Sequence, residues 1–347
     1  MPASTCVDRP SQVPATHMMP LPRTALASWL MSLLMSWLAL SATAAADWRA
    51  EIVPAPGKVT AVETAGKQVR IAIGGRWYRI AADALRLESA LPFERAAVPA
   101  GALPDARVAT GVEKIARAWL ADPTGRYRHG VLGDAIEAGS LVIVRRGGGQ
   151  SILRLGADAV FEDIQPRIAK IGGVERIVVV KSYLDRGSAL AIVDADTATI
   201  VAETPPIGRP NAWLNPAGIA DFNGDGATDI ALVRQPHVLG RLELWSWQNG
   251  KLQKIAEVAD VSNHFIGSRV LGMSATEDFD GDGKPDLAVP SLDRRSLRII
   301  AFVPQPRDVA RLPLPARIVT NIGVVQFRHR PALVAGLENG QLILVHD

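Results

Sequence analysis

Two segments of this chain can be laid on one another almost residue for residue, and that duplication limits the fold more than any other feature. Gly218–Val233 reads GIADFNGDGATDIALV and Ala275–Pro290 reads ATEDFDGDGKPDLAVP, with Asp221 and Asp278 57 residues apart. A period of this order means one supersecondary unit copied along the chain. In each copy an Asp/Gly loop separates two apolar runs. A further alternating run then follows, Arg241–Trp245 after the first copy and Ser296–Ile300 after the second. Period-two alternation of aliphatic and β-branched residues signals half-buried strands. After Trp245 the pair Asn249-Gly250 suits a tight hairpin, because both residues tolerate positive φ. One unit is therefore four antiparallel strands.

Degenerate copies keep the frame and lose the acids: Pro166–Val180, Pro315–Phe327 with its continuation to Val334, and His129–Val144. Later alternating runs at Ser151–Leu155, Ala189–Val193 and Gln341–Val345 extend them. Four-stranded units repeating at this spacing predict an all-β fold, a β-propeller, whose radial packing hides most sheet edges. Five copies fill 131–347. Residues 47–130 hold strand-like runs at Lys58–Thr64, Gln68–Ile73 and Trp77–Ile80, room for two more. The expectation is seven blades, with six as the alternative, in one domain over 47–347. The last unit ends on its third strand at Gln341–Asp347, so a strand near Trp48–Val53 or Lys58–Thr64 is predicted to complete it and close the ring. Residues 111–121 carry both a helical spacing and a strand reading.

The two intact loops carry the chemistry. Asp221, Asn223, Asp225 and Asp229 stand at positions 1, 3, 5 and 9, and Asp278, Asp280, Asp282 and Asp286 repeat them. Alternate residues of a tight loop turn their oxygens to a common centre. Hard oxygen donors without His or Cys suit Ca²⁺, with the backbone carbonyls of Ala227 and Lys284 at position 7 as further ligands. Position 12 holds Leu232 and Val289 rather than Glu, which excludes a helix-loop-helix site. Carboxylates about 5 Å apart repel by roughly 0.8 kcal/mol even in bulk water. Four of them in one turn therefore favour a cation over an empty polar hairpin.

DFNGDGATDIALV and DFDGDGKPDLAVP resemble the FG-GAP or VCBS repeats of integrin α-like propellers. The resemblance implies two calcium sites, in loops joining the first two strands of a blade and turned away from the ligand-binding face. Blades that have lost the acids are expected to bind none.

The single cysteine, Cys6, lies ahead of an uncharged run, Ala25–Leu40, that is preceded by Arg23 and followed by a small-residue stretch to Ala46. This pattern reads as an N-terminal extension and signal peptide over 1–46, with Met18 or Met19 as alternative starts and cleavage near Ala46. It predicts a periplasmic or secreted protein without disulfides. The other reading of the run is a retained membrane anchor, the one route to membrane contact. With 38 Lys and Arg against 35 Asp and Glu, and no run of one sign, nucleic acid is not an expected partner.

No catalytic signature is present. The histidines His129, His237, His264, His329 and His346 form no pairing motif, and Gly147–Gly149 reads as a hairpin turn. Trp245 and Trp247 share one strand face and read as packing between blades, the alternative being stacking on sugar rings. The chain is thus expected to be a non-catalytic binding module for a protein or glycan partner. The alternative is a polysaccharide lyase or hydrolase whose acid and base meet only in the propeller funnel.

Overall fold

The computed structural model describes residues 47–347, which form one compact unit. The signal-peptide reading falls outside the described residues. Among those described there is no helix, and the strands assemble as antiparallel four-stranded blades. After a first strand β1 (Arg49–Val53), blade 1 consists of β2 (Val59–Ala65), β3 (Gln68–Ile73), β4 (Arg76–Ile80) and β5 (Leu87–Ala90). Blade 2 is β6 (Ala109–Thr110), β7 (Ile115–Thr124), β8 (Glu137–Arg145) and β9 (Gln150–Arg154). A short strand β10 (Ala159–Phe161) bridges it to blade 3, which is β11 (Arg167–Ile171), β12 (Val174–Tyr183), β13 (Gly187–Asp194) and β14 (Thr199–Glu203). Blade 4 is β15 (Leu214–Ala220), β16 (Asp229–Arg234), β17 (Arg241–Gln248) and β18 (Lys251–Val258). Blade 5 is β19 (Ala275–Glu277), β20 (Asp286–Pro290), β21 (Ser296–Ala301) and β22 (Arg307–Pro313). Blade 6 is β23 (Gly323–Phe327), β24 (Arg330–Gly336), β25 (Leu342–His346) and, from the other end of the chain, β1.

The described residues thus hold six blades, the alternative count, rather than seven. The reason is a frame error around blade 2. His129–Val144 is not a first strand, loop and second strand: residues 129–136 are a loop and β8 is the third strand of its blade. The first two strands of that blade therefore come from 109–124, which leaves only 59–90 for a further one. Blade 6 is displaced similarly, since its first strand is β23 and residues 315–322 are a connection. The closing strand is where the open third strand of the last unit demands it. β1 pairs antiparallel with β25 from Arg49↔His346 to Val53↔Leu342. Residues 115–124 are strand, so the helical spacing there is an accident of the alternation.

Burial explains the residue pattern. The second and third strands are sandwiched between neighbouring blades, so β16, β20 and β25 are buried almost throughout and read as continuous apolar runs. The outer strands β18 and β22 face water and alternate. Trp245 is 9% exposed and packs, with Trp247, in the cluster joining blades 3 and 4, where the Arg176 guanidinium lies 4.8 Å from the Trp247 ring. The hairpin at Asn249 (φ 52°) and Gly250 (φ 77°) takes the left-handed conformation its sequence favours. Comparable apolar clusters join blades 2 and 3, 4 and 5, 5 and 6, and 6 and 1.

Candidate metal centre

Each acidic loop leaves the innermost strand of its blade and returns as the second: 221–228 between β15 and β16, and 278–285 between β19 and β20. A phenylalanine pins each loop from below. Phe222 and Phe279 are 0% and 1% exposed and project into the blade junctions, so the acids on either side are forced toward the loop centre. Gly226 (φ 86°) and Gly283 (φ 82°) make the reversal between ligand positions, a conformation strained for any residue with a Cβ.

In the second loop, oxygens of Asp278, Asp280 and Asp286 all lie within 4.8 Å of one another. Asp278 accepts from the backbone N–H of Gly281 (2.7 Å) and Gly283 (3.0 Å), and Asp286 from those of Phe279 (3.0 Å) and Asp280 (3.1 Å). These bonds fix the carboxylates without neutralising them. Burial, and then the neighbouring Asp280 and Asp282, push the Asp286 carboxyl up to about 7. Asp282 is exposed and accepts from the Lys284 N–H, outside the trio. Arg307 on β22 pairs with Asp280 at 2.9 Å, a partner the loop motif does not reveal.

The first loop repeats the frame with one charge fewer. Asp229 accepts from the N–H groups of Phe222 and Asn223, and Asp221 from that of Gly226. Asp221 Oδ1 and Asp229 Oδ1 are buried without a hydrogen-bond partner, and burial raises the Asp229 carboxyl above the usual range. Buried oxygens left unpaired in a loop of hard donors fit a divalent cation. Asn223 instead donates to Asp225. The Lys284 side chain runs so close over Gly224 that a Cβ there would stand 2.8 Å from Nζ, making the two loops immediate neighbours.

Because strands alternate in direction, the connections between second and third strands, and between blades, lie at the opposite end of the sheets. There the structure joins residues that sequence spacing kept apart. His237 and His264 meet at 2.8 Å beside Trp213, and burial holds both well below the usual imidazole range, at about 3 and about 4, so both are neutral at pH 7. His129 Nδ1 contacts Glu162 Oε1 at 2.5 Å, and Ser182 and Ser188 donate to the other oxygen of that fully buried carboxylate. Extending the β10–β8 ladder one step from Phe161↔Ala138 sets Glu162 opposite Glu137, whose carboxyl burial and Glu162 push up to about 10. These contacts join segments far apart in sequence that only the assembled fold brings together. Glu137→Gln mimics the protonated acid and is expected to leave the pH 7 urea midpoint nearly unchanged, whereas Glu162→Ala strands three partners and should cost about 3 kcal/mol.

That end also concentrates the exposed apolar side chains. Ile136 (44% exposed), Val238 (70%), Leu239 (43%) and Ile266 (69%) all stand in its connections, while Val112 is exposed at the acidic-loop end.

No curated protein matches this chain. Among solved structures it is similar to the Cps50 (Swd1) β-propeller domain of Myceliophteria thermophila, at 11% identity, covering 85% of this chain and 98% of that one with a TM-score of 0.46. It is also similar to BBS1N crystallised in complex with ARL6DN, at 12% identity, 87% and 97% coverage and a TM-score of 0.40. BamB from Moraxella catarrhalis is similar at 14% identity, 82% and 71% coverage and a TM-score of 0.36. The model of a family described as FG-GAP-like repeat matches residues 202–289, the stretch that holds both acidic loops. Residues 202–289 of this β-propeller are thus similar to FG-GAP-like repeats.

Proposed function

We propose that this chain is an exported, calcium-stabilised binding module that presents the end of the propeller opposite its metal loops to a protein partner. The observation that carries the reading is the segregation of chemistry between the two ends. The acidic loops stand at one end, and Val238, Leu239 and Ile266 project into water at the other. Apolar side chains exposed together in this way mark interaction surfaces. Asp278, Asp280 and Asp286 would hold one Ca²⁺, with Asp282 and the Lys284 carbonyl completing the set. Asp221, Asn223, Asp225, Asp229 and the Ala227 carbonyl would hold the other. The role of the ion is structural: it neutralises the crowded carboxylates and locks each loop to the strand pair below it.

The test compares proteins retained from the native compartment by wild type, by Val238→Asp/Ile266→Asp and by Asp282→Ala. A specific partner is expected to be lost with the first variant and kept with the second in saturating calcium. Retention unaffected by the apolar substitutions, or turnover of a glycan by the purified protein, would overturn the binding reading. Asp282→Ala should also remove much of the second loop's calcium response in a thermal melt.

A further inference from the structure

Five of the six blade junctions are filled by buried apolar clusters, while among the described residues blades 1 and 2 share none. The innermost strand of blade 2, β6, has only two residues. In place of direct packing the connection 91–108 lines both walls. Its first half is tied to blade 1, where Arg70 donates to the Leu91 carbonyl and Arg95 pairs with Glu63. Its second half is tied to blade 2, where Leu103 N–H donates to the Leu120 carbonyl (3.1 Å) and Ala102 bridges Ala121. Between the halves an axial cavity of about 670 Å³ opens, a volume in the range that encloses small ligands.

The lining combines an apolar wall with one uncommitted cation. Phe93, Val108, Ile164 and Leu271 supply the wall. Of the four arginines that line the cavity, Arg95 is held by Glu63, Arg167 by Asp163, and Arg269 by Asp105 and Asp134. The Arg107 guanidinium has no ion pair or side-chain hydrogen bond among the described residues, although its backbone N–H is fixed to the Ile164 carbonyl at 2.8 Å. Glu94 is exposed on the connection and makes no ion pair with it. Glu63 and Asp105, already paired with Arg95 and Arg269, act on it only at longer range, and a guanidinium anchored by its backbone, flanked by apolar surface and without a direct ion pair is suited to a carboxylate or sulfonate.

We propose that this cavity binds a small amphipathic anion, with Arg107 as counter-ion and Phe93, Val108 and Leu271 against its apolar body. The lining includes no residue of either acidic loop and none of Ile136, Val238, Leu239 and Ile266. The probe is naphthalene-2-sulfonate, titrated by calorimetry beside its neutral analogue 2-naphthalenemethanol. The sulfonate is expected to bind below millimolar Kd and at least tenfold more tightly than the alcohol. Arg107→Leu should remove that preference, Arg107→Lys should retain most of it, and Val108→Trp should weaken both compounds by filling the space. Val238→Ser, at the exposed apolar end, should change neither. Equal affinity for the two compounds, sulfonate binding unaltered in Arg107→Leu, or no measurable binding would each overturn the proposal. Arg107→Leu replaces an exposed side chain, so its melt should match wild type and its titration read the site directly.

Discussion

Calcium added to the metal-free protein is expected to raise its melting temperature by about 10 °C. At a hundredfold excess over Kd each site contributes about 2.7 kcal/mol, and two sites therefore about 5 kcal/mol. The response should depend on pH in a direction that Asp286 fixes. Its folded carboxyl titrates at about 7, above the ordinary value of 3.8. The metal-free folded state therefore keeps a proton that the unfolded chain releases near pH 4. That contribution is fully present below pH 4, is lost as pH rises to about 7, and amounts to on the order of 4 kcal/mol. Calcium binds the ionised form, so saturating metal should flatten the decline, and apparent affinity should weaken below pH 7. Asp286→Asn should abolish both the pH slope and the second site's response. Superimposable melts in EDTA and in calcium would refute the metal reading.

Removing residues 47–53 should abolish cooperative unfolding. Those residues supply β1, whose five register pairs cover the edge of β25. They also supply Trp48, 8% exposed and edge-on to Phe279 at 5.9 Å. Without them β25 becomes a bare edge, apolar at every residue but His346, that can pair with another chain. Size-exclusion chromatography is expected to show oligomers in place of monomer. The milder Trp48→Ala keeps the strand and should cost about 3–5 kcal/mol in urea unfolding. Because Phe279 belongs to the second acidic loop, it should also weaken calcium binding there. A monomeric truncation with a wild-type urea midpoint would show that the closing strand is dispensable.

How far the sequence reveals this molecule depends on whether a feature is local. The Asp/Gly loops, the Asn249-Gly250 hairpin and the apolar runs of β16 and β20 are set by residues a few positions apart, and all are legible. Ring closure could be deduced because a missing fourth strand leaves an edge that physics penalises. The blade count could not, because the frame of blade 2 shifts by one strand and its two-residue β6 leaves no periodic trace. Contacts between segments that only the assembled fold brings together, such as His237 with His264, Glu162 opposite Glu137, and Arg307 on Asp280, have no signature in spacing. The empty blade 1–2 junction is equally silent, since it is defined by packing that does not occur.

The strand that closes the ring also has a consequence for biogenesis. Arg49 pairs with His346 at the far end of the described residues, so the final sheet cannot form until that distant strand has been made and has left the ribosome. Until then two unsatisfied ladders coexist on one nascent polypeptide, and loop-closure entropy delays their meeting. A chain threaded through a membrane during export would reach its native topology wholly on the far side. Its dependence on holdase chaperones should accordingly exceed that of a barrel of equal length built from neighbouring hairpins.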